Sequence, residues 1–166
     1  MIIIVEGIDR VGKTTLCNKL SQEFNIPIYK HVGVLQYNKM DNFNETDKML
    51  QLIELCRLTN SSIIFDRFHL TDFVYGMLER NYNIDSAVDN FRLVDNAISK
   101  LDDVYLIYVL PTDIEESSRQ HGKDLTIYNG EFYDLFKNSK IKNKWRCTYT
   151  PLGEAVEYIK ATSGKE

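Results

Sequence analysis

The 166-residue chain has little that could staple, anchor or unfold it. Its three cysteines, Cys17, Cys56 and Cys147, stand far apart with no C-x-x-C and no Cys/His ligand spacing. That excludes a disulfide-stapled scaffold and a zinc ribbon, and it is the pattern of reduced thiols. No apolar run approaches the roughly 18–20 residues needed to span a bilayer. The start, Met1-Ile2-Ile3-Ile4-Val5, runs straight into Glu6 without a basic leader, so the expectation is a cytoplasmic protein with neither export nor membrane insertion. Neither sign of charge dominates: 20 Lys and Arg against 24 Asp and Glu give −4, and neither nucleic acid nor membrane is expected as a partner. Only 3 Pro and 8 Gly among 43% hydrophobic residues exclude collagen-like, low-complexity and disordered classes.

What remains is the composition of one globular domain over residues 1–166. The run 1–5 reads as a buried strand ending at Gly7, and Leu16, Leu20 and Phe24, four apart, read as the apolar stripe of a helix over 13–24. Ile26-Pro27-Ile28-Tyr29 is a weak second strand, followed by a polar loop over Gln36–Glu45 and a helix over Thr46–Leu58. Ile63-Ile64-Phe65 is a third strand closed by Asp66-Arg67, with a short helix over 70–80 after it. Asp85–Leu101 carries the clearest helical stripe, and Val104–Leu110 is a buried strand stopped by Pro111. Beyond it lie Asp113 to about Gln120, a polar turn at Gly122, a helix near Glu131–Asn138, an aromatic strand near Trp145–Tyr149 and a last helix after Thr150-Pro151. Strands alternating with helices specify an α/β fold, a mostly parallel sheet covered on both faces.

The chemistry concentrates at two segments. Gly7-Ile8-Asp9-Arg10-Val11-Gly12-Lys13-Thr14 fits G-x-x-x-x-G-K-[ST] between a strand and a helix. In that context the glycines let successive backbone N–H groups turn toward a phosphate, and the helix that follows adds its positive dipole end. Lys13 reaches the β/γ-phosphates and the Thr14 hydroxyl ligates Mg²⁺. Ile63-Ile64-Phe65-Asp66 has the form of a strand whose terminal carboxylate approaches that ion or its waters, and Arg67 beside it can clamp a phosphate bidentately. Asn38-Lys39-Met40-Asp41 matches a guanine-recognition string but follows no strong strand, so it reads as chance. His31, His69 and His121 lack ligand spacing and read as structural or solvent-facing.

Together Glu6-Gly7-Ile8-Asp9-Arg10-Val11-Gly12-Lys13-Thr14-Thr15 and Asp66-Arg67-Phe68, with Thr71 and Tyr75 after it, resemble the phosphate loop and the Asp-Arg-aromatic segment of thymidylate kinases, in particular of viral or phage type. The resemblance implies a P-loop kinase fold with five parallel strands and a short lid over about 115–127. The implied reaction is ATP-dependent phosphorylation of a (deoxy)nucleoside 5′-monophosphate to the diphosphate, with Mg²⁺ as cofactor. Gly7, Val11, Gly12, Lys13, Thr14 and Thr15 would bind ATP, and Thr14 and Asp66 the metal. Asp9, Arg67, Phe68 and Tyr75 would bind the acceptor, Asp9 on its 3′-hydroxyl side. Lys13, Arg10, Arg67 and the lid residue Arg119 would act on the transferring group, with Lys123 closing beside Arg119 if the lid is helical. The resemblance also points to a homodimer.

Two departures concern the acceptor. Tyr29-Lys30-His31-Val32-Gly33 stands where the family has an Arg-Glu-Pro-Gly-Gly-like segment, so no carboxylate is expected there, and the helix over 46–58 offers only Arg57 for the base. Both tell against thymine. Phe43, Phe68, Phe73 and Tyr75 could stack on a base, although core packing is the better expectation for each. A nucleoside 5′-hydroxyl needs a carboxylate base, whereas a phosphate is already anionic and needs mainly cations. Arg10, Arg67 and Arg119 therefore favour the monophosphate as acceptor over the nucleoside, and retention of Lys13 tells against a non-catalytic nucleotide-binding module.

Overall fold

Ile2–Glu6 forms β1, and all five residues are buried. A strand shielded on both faces must be apolar on both, which is why Ile2, Ile3, Ile4 and Val5 run without alternation. In this computed structural model, which describes residues 1–31, 42–148 and 153–164, β1 is the middle of a five-stranded parallel sheet. Its other strands are β2 (Ile28–Lys30), β3 (Ile63–Asp66), β4 (Val104–Leu110) and β5 (Asn143–Thr148), in the order β2-β3-β1-β4-β5. The register sets Val5 beside Asp66 and Glu6 beside Tyr108, so the chemistry-bearing ends of β1, β3 and β4 lie at one edge.

The helices are α1 (Lys13–Phe24), α2 (Asn42–Thr59), α3 (His69–Glu79), α4 (Ile84–Ile98), α5 (Ile114–His121), α6 (Thr126–Asn138) and α7 (Gly153–Ser163). α1 lays Leu16, Cys17 and Leu20 fully buried on the sheet, about 1.5–3 kcal/mol for each Leu removed from water. The three cysteines are free and buried. Among the described residues no helix is long and apolar enough to cross a membrane.

Several boundaries differ from the sequence reading. α2 begins at Asn42, inside the stretch read as a loop, and Glu45 and Thr46 are buried in its first turns. α6 begins at Thr126 rather than near Glu131; Asn129 and Gly130 depress helix propensity there, and the fully buried Leu125 anchors the start instead. The span 115–127 read as a lid holds α5, which ends at His121 close to where the sequence placed it, then the Gly122 turn with a left-handed φ of 71°, then the start of α6. Phe43's side chain, Val32-Gly33, Asn38–Asp41 and Tyr149–Leu152 lie outside the described residues.

From β1 the chain leads toward β2 on one side of the sheet, and from β4 toward β5 on the other. A parallel sheet opens a crevice where its connections diverge in this way. The cleft described next lies there.

Candidate active site

The loop from Gly7 to Gly12 is shaped by the two glycines. At Gly7, φ is 142°, and a Cβ would come 2.5 Å from the Val109 carbonyl oxygen, so any other residue would push the loop off β4. Gly12 caps α1 at φ 92° with no side chain bonded to the free N–H groups of the first turn. Those donors therefore remain for a ligand, and they face a cleft of about 560 Å³. One wall is residues 10–15, Arg67 adjoins it, and the facing wall comes from Pro111 to Asp113 and from Glu116, Ser117 and Gln120 of α5. Arg10, Val11, Gly12, Lys13, Thr14 and Thr15 thus sit together as the motif requires, and Gly7 shapes the loop from behind.

Lys13 is buried, its ammonium bonded to the Ile8 carbonyl. Burial, with repulsion from Arg67, pulls its pKa down to about 8. A buried cation under strain of this kind gains from an anion placed beside it. Thr14 Oγ1 donates to Asp66 Oδ2 at 2.8 Å. Two hard oxygen donors this close suit Mg²⁺, which takes few protein ligands and completes its shell with water and phosphate oxygens. Among the described residues there is no group of three or more His, Cys, Asp or Glu that could hold a metal ion.

Arg10 and Arg67 both have left-handed backbone, φ 63° and 74°. Among the described residues the other non-glycine positions in that region are Asn and Asp, which tolerate it, so the two arginines mark strain at the site. Arg67 is fixed from below, its N–H bonded to the Val5 carbonyl at 3.0 Å. Its guanidinium bonds Asp9 Oδ1. His121, at the end of α5, lies with Nε2 3.1 Å from Asp9 Oδ2, and Arg10 donates to the Gln120 carbonyl at 3.3 Å. Burial alone would raise the Asp9 carboxyl, but Arg67, Lys13 and His121 more than offset it and hold the pKa below the ordinary value. Tyr75 adjoins this cluster with the Arg67 guanidinium 5.9 Å from its ring centre. Its hydroxyl is buried near Asp9 without a well-formed hydrogen bond.

Glu6, fully buried, holds this framework together. Its Oε1 accepts from the N–H groups of Phe68 at 2.9 Å, Leu70 at 3.0 Å and Thr71 at 3.3 Å, and its Oε2 from the Thr71 hydroxyl. One carboxylate thus closes the N-terminus of α3 and ties it to β1.

Several expectations change, while Phe73 and His69 pack as expected. Phe68 does not line the cleft: its ring is fully buried and stacked on Phe65 at 4.3 Å, because the left-handed turn at Arg67 sends the next side chain into the core. Phe73 packs edge-on against Phe91. Arg119 is 74% exposed and paired with Glu116 at 2.7 Å, so it stands outside the cleft that Glu116 lines. Lys123 does not share a helical face with Arg119, since the helix ends between them; it bonds Glu79 and lies 5.5 and 4.7 Å from the ring centres of Tyr75 and Tyr128. Arg57 is exposed and paired with Glu54. A carboxylate does reach the end of β2: α2 delivers Glu45 to 3.9 Å from His31 Nε2. His69 is structural, 3.2 Å from Asp95 Oδ1. Asp95 also accepts from Ser139 Oγ at 2.5 Å and the Lys140 N–H at 2.7 Å.

No protein-family model matches the sequence, and no curated protein matches it. Solved structures do. The YorR protein of Bacillus subtilis, in complex with phosphorylated GDP, superimposes with a TM-score of 0.73 at 19% identity, covering 100% of this chain and 99% of that one. Thymidylate kinase from Ehrlichia chaffeensis gives 0.62 at 18% identity over 98% of each chain. Deoxyadenosine kinase from M. mycoides, with dCMP and dCDP bound, gives 0.54 at 15% identity over 100% of both. By these superpositions the chain has the thymidylate kinase-like P-loop nucleotide kinase fold.

Proposed function

We propose that the protein transfers the γ-phosphoryl group of Mg-ATP to the 5′-phosphate of a (deoxy)nucleoside monophosphate, giving the diphosphate and ADP. An acceptor phosphate oxygen bonds to the γ-phosphorus while the bond to the β,γ-bridging oxygen breaks. Such a transfer needs positioning and cations more than proton removal. The observation that carries the reading is the trio Arg10, Lys13 and Arg67 at one cleft mouth, two of them held in left-handed backbone.

The N–H groups at the start of α1 and Lys13 would hold the donor's phosphates, with Thr15 in the same turn. Thr14 and Asp66 would hold Mg²⁺, which neutralises charge on the phosphates when bound. Arg67 would release Asp9 to grip the acceptor phosphate, and Asp9 would then face the sugar hydroxyl, with Tyr75 alongside. Arg119 would leave Glu116 and turn into the cleft as α5 closes. The similarity to a thymidylate kinase structure supports a nucleotide acceptor, whereas the similarity to a deoxyadenosine kinase with dCMP as a product supports a nucleoside acceptor as well. A cytoplasmic homodimer belongs to the proposal on the family resemblance alone.

Glu45 beside His31 favours a second reading, a nucleoside acceptor whose 5′-hydroxyl proton is taken at the end of β2. Coupled ADP release with Mg-ATP over the deoxynucleosides and their 5′-monophosphates separates the two. The proposal expects turnover with a monophosphate; turnover confined to nucleosides would replace it by the second reading.

A further inference from the structure

The strongest feature without a role is His121. It lies 112 residues from Asp9 in sequence, yet it is the lid's direct side-chain contact with the phosphate loop. We infer that His121 is the residue that keeps the acceptor site open for its phosphate: by holding Asp9 Oδ2, it prevents Asp9 from taking the Arg67 guanidinium with both oxygens.

A carboxylate and a guanidinium pair best through two parallel N–H···O bonds. Asp9 meets Arg67 through Oδ1, while His121 lies 3.1 Å from Oδ2 and draws that oxygen toward α5, out of the paired geometry. The single bond leaves Arg67 easier to transfer to an incoming phosphate. The contact also closes α5 onto the loop, together with Arg10 on the Gln120 carbonyl. Past the Gly122 turn, Lys123 on Glu79 and over Tyr75 pins the same segment to α3. His121 is thus a positioning residue, acting on the acceptor through Asp9 and Arg67 while the donor's phosphates are held by Lys13 and the start of α1. The inference rests on the monophosphate reading and deepens it.

Steady-state kinetics of wild type, His121→Ala and His121→Gln test it, with Mg-ATP and whichever of dAMP, dCMP, dGMP, dTMP, AMP, CMP, GMP or UMP the wild type turns over best. Gln can still donate an N–H to Asp9. We expect His121→Ala to raise the acceptor KM about tenfold with the ATP KM changed less than about twofold, and His121→Gln to restore most of the acceptor KM. A parallel rise in both KM values, an unchanged acceptor KM, or a Gln variant no better than Ala overturns the role while leaving the kinase reading in place. A wild type that phosphorylates none of these monophosphates overturns the functional reading and this role with it.

Discussion

Glu6 Oε1 accepts the Leu70 N–H at 3.0 Å across 64 residues of sequence. With the Phe68 and Thr71 bonds, it gives β1 the capping task that a residue preceding α3 would ordinarily perform, since Phe68 at the N-cap cannot. Glu6→Ala leaves these buried donors unmet and should cost about 2–4 kcal/mol of stability. Glu6→Gln keeps one acceptor and should cost less. Urea unfolding of both variants checks the order; equal losses would contradict it, because Gln retains both the volume and one acceptor.

Asp95 ties α3 and α4 to the turn before β5 through His69, Ser139 and Lys140. Burial raises its pKa, but the bonds from His69, Lys140 and Ser139 win and hold it below 3.8. A carboxylate with a depressed folded pKa contributes stability above its unfolded value and loses it as pH falls through the folded one. Wild type should therefore lose more stability than Asp95→Asn between about pH 5 and pH 2. Denaturant titrations at several pH values test this, and parallel curves would contradict it.

Arg67 lines the cleft directly after Asp66, and the proposal gives it the acceptor's phosphate. Arg67→Ala should weaken the acceptor monophosphate by about 2–5 kcal/mol, the scale of truncating one partner of a desolvated charge pair, and weaken Mg-ATP much less. Calorimetric titration of each ligand separately decides it; equal losses would place Arg67 on the donor's phosphates instead.

Arg119 sits on Glu116 in the structure, and its assigned task lies in the closed lid. Arg119→Ala should then lower kcat by about 10²–10³ with little change in ATP affinity, and Lys123→Ala should do less. Single-turnover rates equal to wild type, also in an Arg10→Ala background, would leave Arg119 a solvent-side ion pair.

The phosphate loop, the Asp66-Arg67 turn and the five strands are legible in the sequence because each depends on neighbouring residues: runs, caps, glycines at fixed spacing. The contacts that complete the site are not local. His121 reaches Asp9 across 112 residues and Glu6 reaches α3 across more than 60, and no spacing rule encodes either. Glu45 was hidden by a helix start that carries no strong stripe, so its approach to His31 follows from packing of α2 alone. Phe68 shows the converse, a motif residue whose ring is claimed by the core through one left-handed residue before it.

The central claim is phosphoryl transfer at the Gly7–Thr14 loop. Mixing excess protein with γ-labelled ATP, Mg²⁺ and a monophosphate, and following label into the diphosphate in a single turnover, tests it most directly when wild type is compared with Lys13→Ala. The Lys13 ammonium bonds the Ile8 carbonyl and its loss removes no apolar core side chain, so the variant should keep its fold by circular dichroism and lose about 10²–10³ in rate, as expected for removal of a preorganised donor. Label transfer at wild-type rate in a folded Lys13→Ala protein would contradict the account.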